Sequence, residues 1–162
     1  MPPVASAAGG THRSHAFRVQ GDRAMLAQAV TLERAELVEG ELRISVAPGR
    51  IGHAFPTGDI FRRLEVRVTP VNAAGRAVGA QSVMVLGRTF KSVRVGLDRL
   101  TRVQECDTRL HGPRTLTVAV PKTSRRVRWQ IVWQRLPPSL ATQLGMVMSD
   151  QEVVVLEGIA TR

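Results

Sequence analysis

Four runs of alternating side chains constrain this 162-residue chain more than any other feature. Leu42, Ile44 and Val46 alternate with Glu41, Arg43 and Ser45, and Leu64, Val66 and Val68 with Arg63, Glu65, Arg67 and Thr69. Leu116, Val118 and Val120 alternate with Thr115, Thr117 and Ala119; Val127, Trp129, Ile131 and Trp133 alternate with Arg126, Arg128, Gln130 and Gln134. Successive side chains of a strand point to opposite faces, so a period of two marks a strand with one buried face. Trp129 and Trp133 fall on the same face of one strand, and burial on the core side is predicted for both.

Turn residues separate these runs. Glu39-Gly40 predicts a turn between the Leu42 strand and an earlier one through Val30, Leu32, Ala35 and Leu37, with an irregularity near Glu33-Arg34. Pro70 and Asn72-Ala73-Ala74-Gly75 close the Leu64 strand. Val78–Leu86 reads as a strand ended by Gly87, Pro137-Pro138 stops the tryptophan strand, and Val153–Leu156 reads as the last strand. Two short helical pieces are predicted, Ala24–Ala29 capped by Asp22 and Ser139–Leu144 capped by Ser139. Several short strands with turns between them predict an all-β fold, an antiparallel β-sandwich over 23–162, preceded by a short N-terminal helical or extended segment over 1–22. A chain of this length is one domain by the usual scale of roughly 100–200 residues.

The formal charge is +10, and arginine supplies 21 of the 23 basic residues. Such a surface attracts polyanions. The arginines are spread along the chain, however, and the composition has no Tyr and only four Phe for base stacking, so no specific nucleic-acid partner is expected. No run approaches the roughly 20 apolar residues that span a bilayer, so no transmembrane segment is expected. The start lacks a basic region followed by an apolar stretch, so no signal peptide is read in it.

Candidate chemistry is sparse. There is no Gly-x-Ser-x-Gly turn and no phosphate-binding loop, and no catalytic residues are assigned. Zinc would need paired cysteines or a histidine cluster, neither of which is present. Cys106, His111 and His53 come in an order suited to a copper β-sandwich, but no Met follows His111 at short spacing and the neighbours of Cys106 are Glu105 and Asp107. No metal site is assigned; a small copper-binding sandwich is kept only as an alternative. Asp107-Thr108-Arg109 is expected to tie a loop to a strand through charge-assisted bonds.

The stretch Gly52-His53-Ala54-Phe55-Pro56-Thr57-Gly58-Asp59 reads as a constrained connection between two strands. A titratable imidazole in a rigid loop invites a functional role, while the plainer role for His53 is to tie the loop down by hydrogen bonds. On the plainer role His53 packs with Phe55 and Pro56 at an end of the sandwich and holds the entry to the Leu64 strand.

From Arg50 through Leu64 the chain reads RIGHAFPTGD followed by Ile60-Phe61-Arg62-Arg63-Leu64. This run resembles the GHxxPTG...RRL segment in the C-terminal β-rich domain of bacterial multihaem cytochromes c. Arg13-Ser14-His15-Ala16-Phe17, then Ala24-Met25-Leu26 and Ala29-Val30, resembles the segment that joins the last haem site to that domain. The departure is that the chain has no CxxCH. Covalent haem needs two cysteine thiols with a histidine beside them, and Cys106 is the single cysteine. The resemblance therefore implies a non-catalytic accessory domain, not an enzyme by itself, of a parent cytochrome that could be an oxidoreductase. It would support electron transfer by a neighbouring haem c module, in an upstream segment or a separate chain, with no cofactor in this chain alone. It also implies His15 as a distal haem ligand, His53 as a loop contact to haem, and a periplasmic or otherwise extracytoplasmic location. Met1-Pro2-Pro3 is similar to the continuation of a CxxCH-Met-Pro segment, so the resemblance implies haem motifs upstream, in a longer frame or in a gene split after its last haem motif; the alternative is an ordinary start followed by a flexible tail. The alternative from another class is a stand-alone basic domain that binds an anionic partner.

Overall fold

The computed structural model describes residues 3–5, 11–13, 22–49, 53–96 and 99–162. Two sheets form the body. One has three strands: β3 (Val30–Val38), β4 (Glu41–Pro48) and β9 (Arg114–Ala119), in the order β3-β4-β9. The other has four, in the order β11-β10-β5-β6, from β5 (Arg63–Pro70), β6 (Ser82–Leu86), β10 (Arg126–Gln134) and β11 (Glu152–Thr161). All pairs within both sheets are antiparallel. β7 (Arg88–Val95) and β8 (Arg99–Asp107) form a separate hairpin, and β1 (Pro3–Ala5) pairs with β2 (Thr11–Arg13) within the N-terminal segment.

The core lies between the two larger sheets. Leu42, Ile44 and Val46 of β4, with Leu116 and Val118 of β9, join Leu64, Val66 and Val68 of β5 and Val127, Trp129, Ile131 and Trp133 of β10 in one buried cluster. The four alternating runs are thus the inner faces of an all-β sandwich, as predicted. Each large side chain so buried contributes roughly 1.5–3 kcal/mol. Trp129 and Trp133 are only 2% and 3% exposed, which meets the prediction for both. The sheets also meet at their edges, where β6 runs beside β9 and Ser82 Oγ donates to the Ala119 carbonyl at 2.9 Å.

Local signals account for several boundaries. Glu39 and Gly40 both have positive φ (48° and 88°), the twist that suits a tight hairpin between β3 and β4. The expected irregularity is a bulge, where the register shifts between Leu32 and Arg34. Helix α1 (Arg23–Ala27) is capped by Asp22, whose carboxylate accepts from the Met25 N–H at 3.1 Å.

Other boundaries correct the reading. The strand expected from Val78 begins at Ser82. Val78 donates its N–H back to the Pro70 carbonyl at 2.9 Å, and Gly79 and Ala80 interrupt the ladder with little side chain to pack. Helix α2 spans Pro138–Gln143 with Pro137 at the cap position and no side-chain cap bond, so Ser139 does not cap it. Proline's fixed φ and missing N–H suit the first turn, and this starts the helix one residue earlier. The last strand runs through Thr161 because Arg126–Gln134 pairs along its whole length. The β7–β8 hairpin was not anticipated.

Candidate functional site

The connection from His53 to Arg63 runs at one end of the sandwich. Phe55 is buried, and it exchanges two backbone hydrogen bonds with Leu110 at 2.9 and 2.8 Å. The Phe55–Pro56 peptide is cis. Arginines then hold the backbone that follows. Arg62 donates to the Thr57 carbonyl at 3.0 Å, and Arg88 to the Gly58 and Asp59 carbonyls at 2.7 and 3.2 Å. Asp59 accepts from the Phe61 N–H at 3.0 Å and turns the chain toward β5; it does not pair with Arg62 or Arg63. Gly58 has φ of 92°, a conformation costly for other residues, and a Cβ there would also lie 2.5 Å from Arg62 Nη1.

Asp107, Thr108 and Arg109 supply the opposite anchor, as expected. Arg109 forks onto both oxygens of Asp107, and its Nη1 lies 3.5 Å from the Pro56 carbonyl. Thr108 Oγ1 accepts from the Gly87 N–H at 3.0 Å and donates to the Gly87 carbonyl at 3.1 Å. The Arg109 guanidinium holds the Asp107 carboxyl well below the usual carboxylate range, helped by the Arg109 N–H and by His111 at 3.3 Å.

A second polar cluster lies on β5, β10 and β11. Arg63 pairs with Glu65 at 2.6 Å and donates to Gln134 at 2.7 Å; Arg67 bridges Glu65 and Glu152. The hydrogen bonds from Arg67, with one from Gln134, lower the Glu152 pKa. The positive and negative charges here are matched, and buried Gln134 fills the remaining valences. A matched, internally bonded cluster of this kind fixes strand register and leaves no group free for chemistry.

His53 is exposed and makes no hydrogen bond to another described residue, so the plainer role expected for it is not seen. The Phe55–Leu110 pair and the arginines tie the loop instead. His15 lies outside the described residues. Cys106 is exposed on β8 opposite Thr89. Among the described residues no three His, Cys, Asp or Glu side chains are grouped to hold a metal ion, so Cys106, His53 and His111 do not come together as the copper alternative needs. Covalent haem does not fit this chain's own residues either, since the thiols it requires are not there. No helix among the described residues is long and apolar enough to cross a membrane.

The architecture has a counterpart among solved structures. The chain is similar to the penta-heme cytochrome c552 from Thermochromatium tepidum, with a TM-score of 0.69 and 19% identity over 96% of this chain and 45% of that one. At this identity the likeness shows the fold. The chain spans less than half the length of that cytochrome. No family model and no curated protein sequence matches it.

Sequence reasoning missed Arg88 and Arg102 as residues of this end of the sandwich. Their signal is weak: Gly96 at the tip of a polar hairpin, with Thr89, Phe90, Val93 and Val95 before it and Thr101 and Val103 after it.

Proposed function

We propose that this chain is a non-catalytic accessory domain of a multihaem c-type cytochrome and supports electron transfer by a neighbouring haem module outside the cytoplasm. The observation that carries the reading is the likeness in fold to a penta-heme cytochrome over 96% of the chain, when the chain itself holds no haem-attachment motif. The residues from His53 to Leu64 support it. They are a rigid, arginine-stapled end of the sandwich that leaves His53 outward-facing, where a neighbouring module could meet it. On this reading His15 ligates the distal side of a haem iron held by that module, and His53 touches the haem or its surround.

The test begins with the DNA upstream of Met1, read for CxxCH in any frame. The joined module and domain are then produced where c-type haem is matured. The expected result is a haem protein whose spectrum and potential change in His15→Ala. A stop codon with no upstream cysteine codons, and no haem-bearing partner recovered with the chain, would sink the reading.

A further inference from the structure

A cleft of about 490 Å³ opens between the β7–β8 hairpin and the turn that leads into β5. Strand register builds its outer wall. Phe90 and Ser92 share a face of β7, and Ser92 pairs with Arg102 of β8, which brings Arg102 to that face. The inner wall is Phe61, Arg62 and Arg63. Among the described residues, no Asp or Glu lines the cleft.

Arg63 is neutralised by Glu65. Among the described residues, none of Arg62, Arg88 and Arg102 has a carboxylate within ion-pair distance. Three guanidinium groups that no described carboxylate balances repel one another around one cleft, which a bound anion would relieve. Solvated arginines that sweep through water would need no such partner. Two of the three do not sweep: Arg88 is bonded to two carbonyls, and Arg62 is bonded to a third and lies 5.9 Å from the Trp133 ring centre. The Nε of Arg62 is also buried with no hydrogen-bond partner among the described residues. Arg102 stands 5.7 Å from the Phe61 ring centre and Arg88 5.8 Å from that of Phe90, so each of these charges lies beside an aromatic ring of the cleft. The volume lies in the range of small-molecule sites, about 300–1,000 Å³.

We infer that this cleft binds a small organic anion, with a flat apolar body against Phe61 and Phe90 and a carboxylate or phosphate group among Arg62, Arg88 and Arg102. The guanidinium fork matches both groups in geometry. The inference goes beyond the accessory-domain reading and does not depend on it.

Phthalate is a suitable probe, with uncharged benzamide and inorganic phosphate as comparisons. The full chain is titrated by calorimetry at low salt, and amide shifts are followed by NMR. Saturable one-site binding of phthalate is expected, with shifts at 60–63, 88–92 and 102. Phosphate should bind at the same amides at least tenfold more weakly, and benzamide not at all. Arg102→Gln should weaken phthalate binding at least tenfold while circular dichroism stays unchanged; Ser92→Glu, at another exposed position, is a second variant that should abolish it. Arg128→Gln removes the same charge from an exposed site on β10 and should change little. No saturable binding, or equal weakening by Arg128→Gln, would overturn the inference. So would protection of these amides by an acidic protein and not by phthalate, which would make the cleft a docking surface.

Discussion

Asp107 shows how one side chain sets a pH dependence. Its carboxyl titrates below its ordinary range because the Arg109 guanidinium bonds the charged form. A group whose folded pKa is depressed stabilises the protein above its unfolded pKa, about 3.9 for Asp, and that stability fades as pH falls through the folded value. Glu152 is shifted in the same direction by Arg67 and adds to the effect. Acid titration of the wild type should therefore lose stability below about pH 4. Asp107→Asn should lower stability by about 1–3 kcal/mol at neutral pH, with a shallower loss in acid, measured by urea unfolding at several pH values. Gly158 is a second sensitive position. A Cβ there would lie 2.7 Å from Trp129 Cζ2, and Trp129 is wedged in the core. Gly158→Ala should cost roughly 1–3 kcal/mol by overpacking, with a shift in tryptophan emission. His53→Ala should change stability by less than about 0.5 kcal/mol, because the side chain is exposed and bonds to no described residue. A larger loss would restore the structural role first expected of it.

At the scale of elements, the β7–β8 hairpin differs from every other strand pair of the sandwich. None of its residues belongs to the buried cluster, and Val95, Leu100 and Val103 are 54%, 69% and 43% exposed. A lone two-stranded hairpin is marginal in water, so this one depends on its root, where Thr108 grips Gly87 and Arg88 grips the turn before β5. Amides from 89 to 106 should exchange with deuterium well before those of central strands β5 and β10, followed by mass spectrometry. Equal protection would mean that the hairpin is packed more firmly than its exposure implies. Polarity also explains why the hairpin was illegible in the sequence. Lys91, Ser92, Arg94, Arg99 and Arg102 interrupt its apolar residues, and with neither face buried nothing selects a period of two.

Over the whole molecule, both sheets share one core, so they should unfold together. Ile44 lies in the three-stranded sheet and Ile131 in the four-stranded sheet, and both are fully buried. Ile44→Ala and Ile131→Ala should each lower one common transition by about 2–5 kcal/mol, observed by circular dichroism and tryptophan fluorescence. Two separate transitions would contradict a single core.

By itself, the sequence determined the inner faces of β4, β5, β9 and β10, the Asp22 cap, the Glu39-Gly40 turn, and the Asp107–Arg109 tie. All of these rest on side-chain period or on neighbours within a few residues. Tertiary structure alone decided the rest. Phe55 meets Leu110, and Phe61 meets Arg102, across more than forty positions of chain, through pairings that no local pattern encodes. Whether an arginine is balanced by a carboxylate, clamped on a carbonyl or turned into a cleft depends on which strands lie side by side. Charge acts through space and leaves no period along the chain.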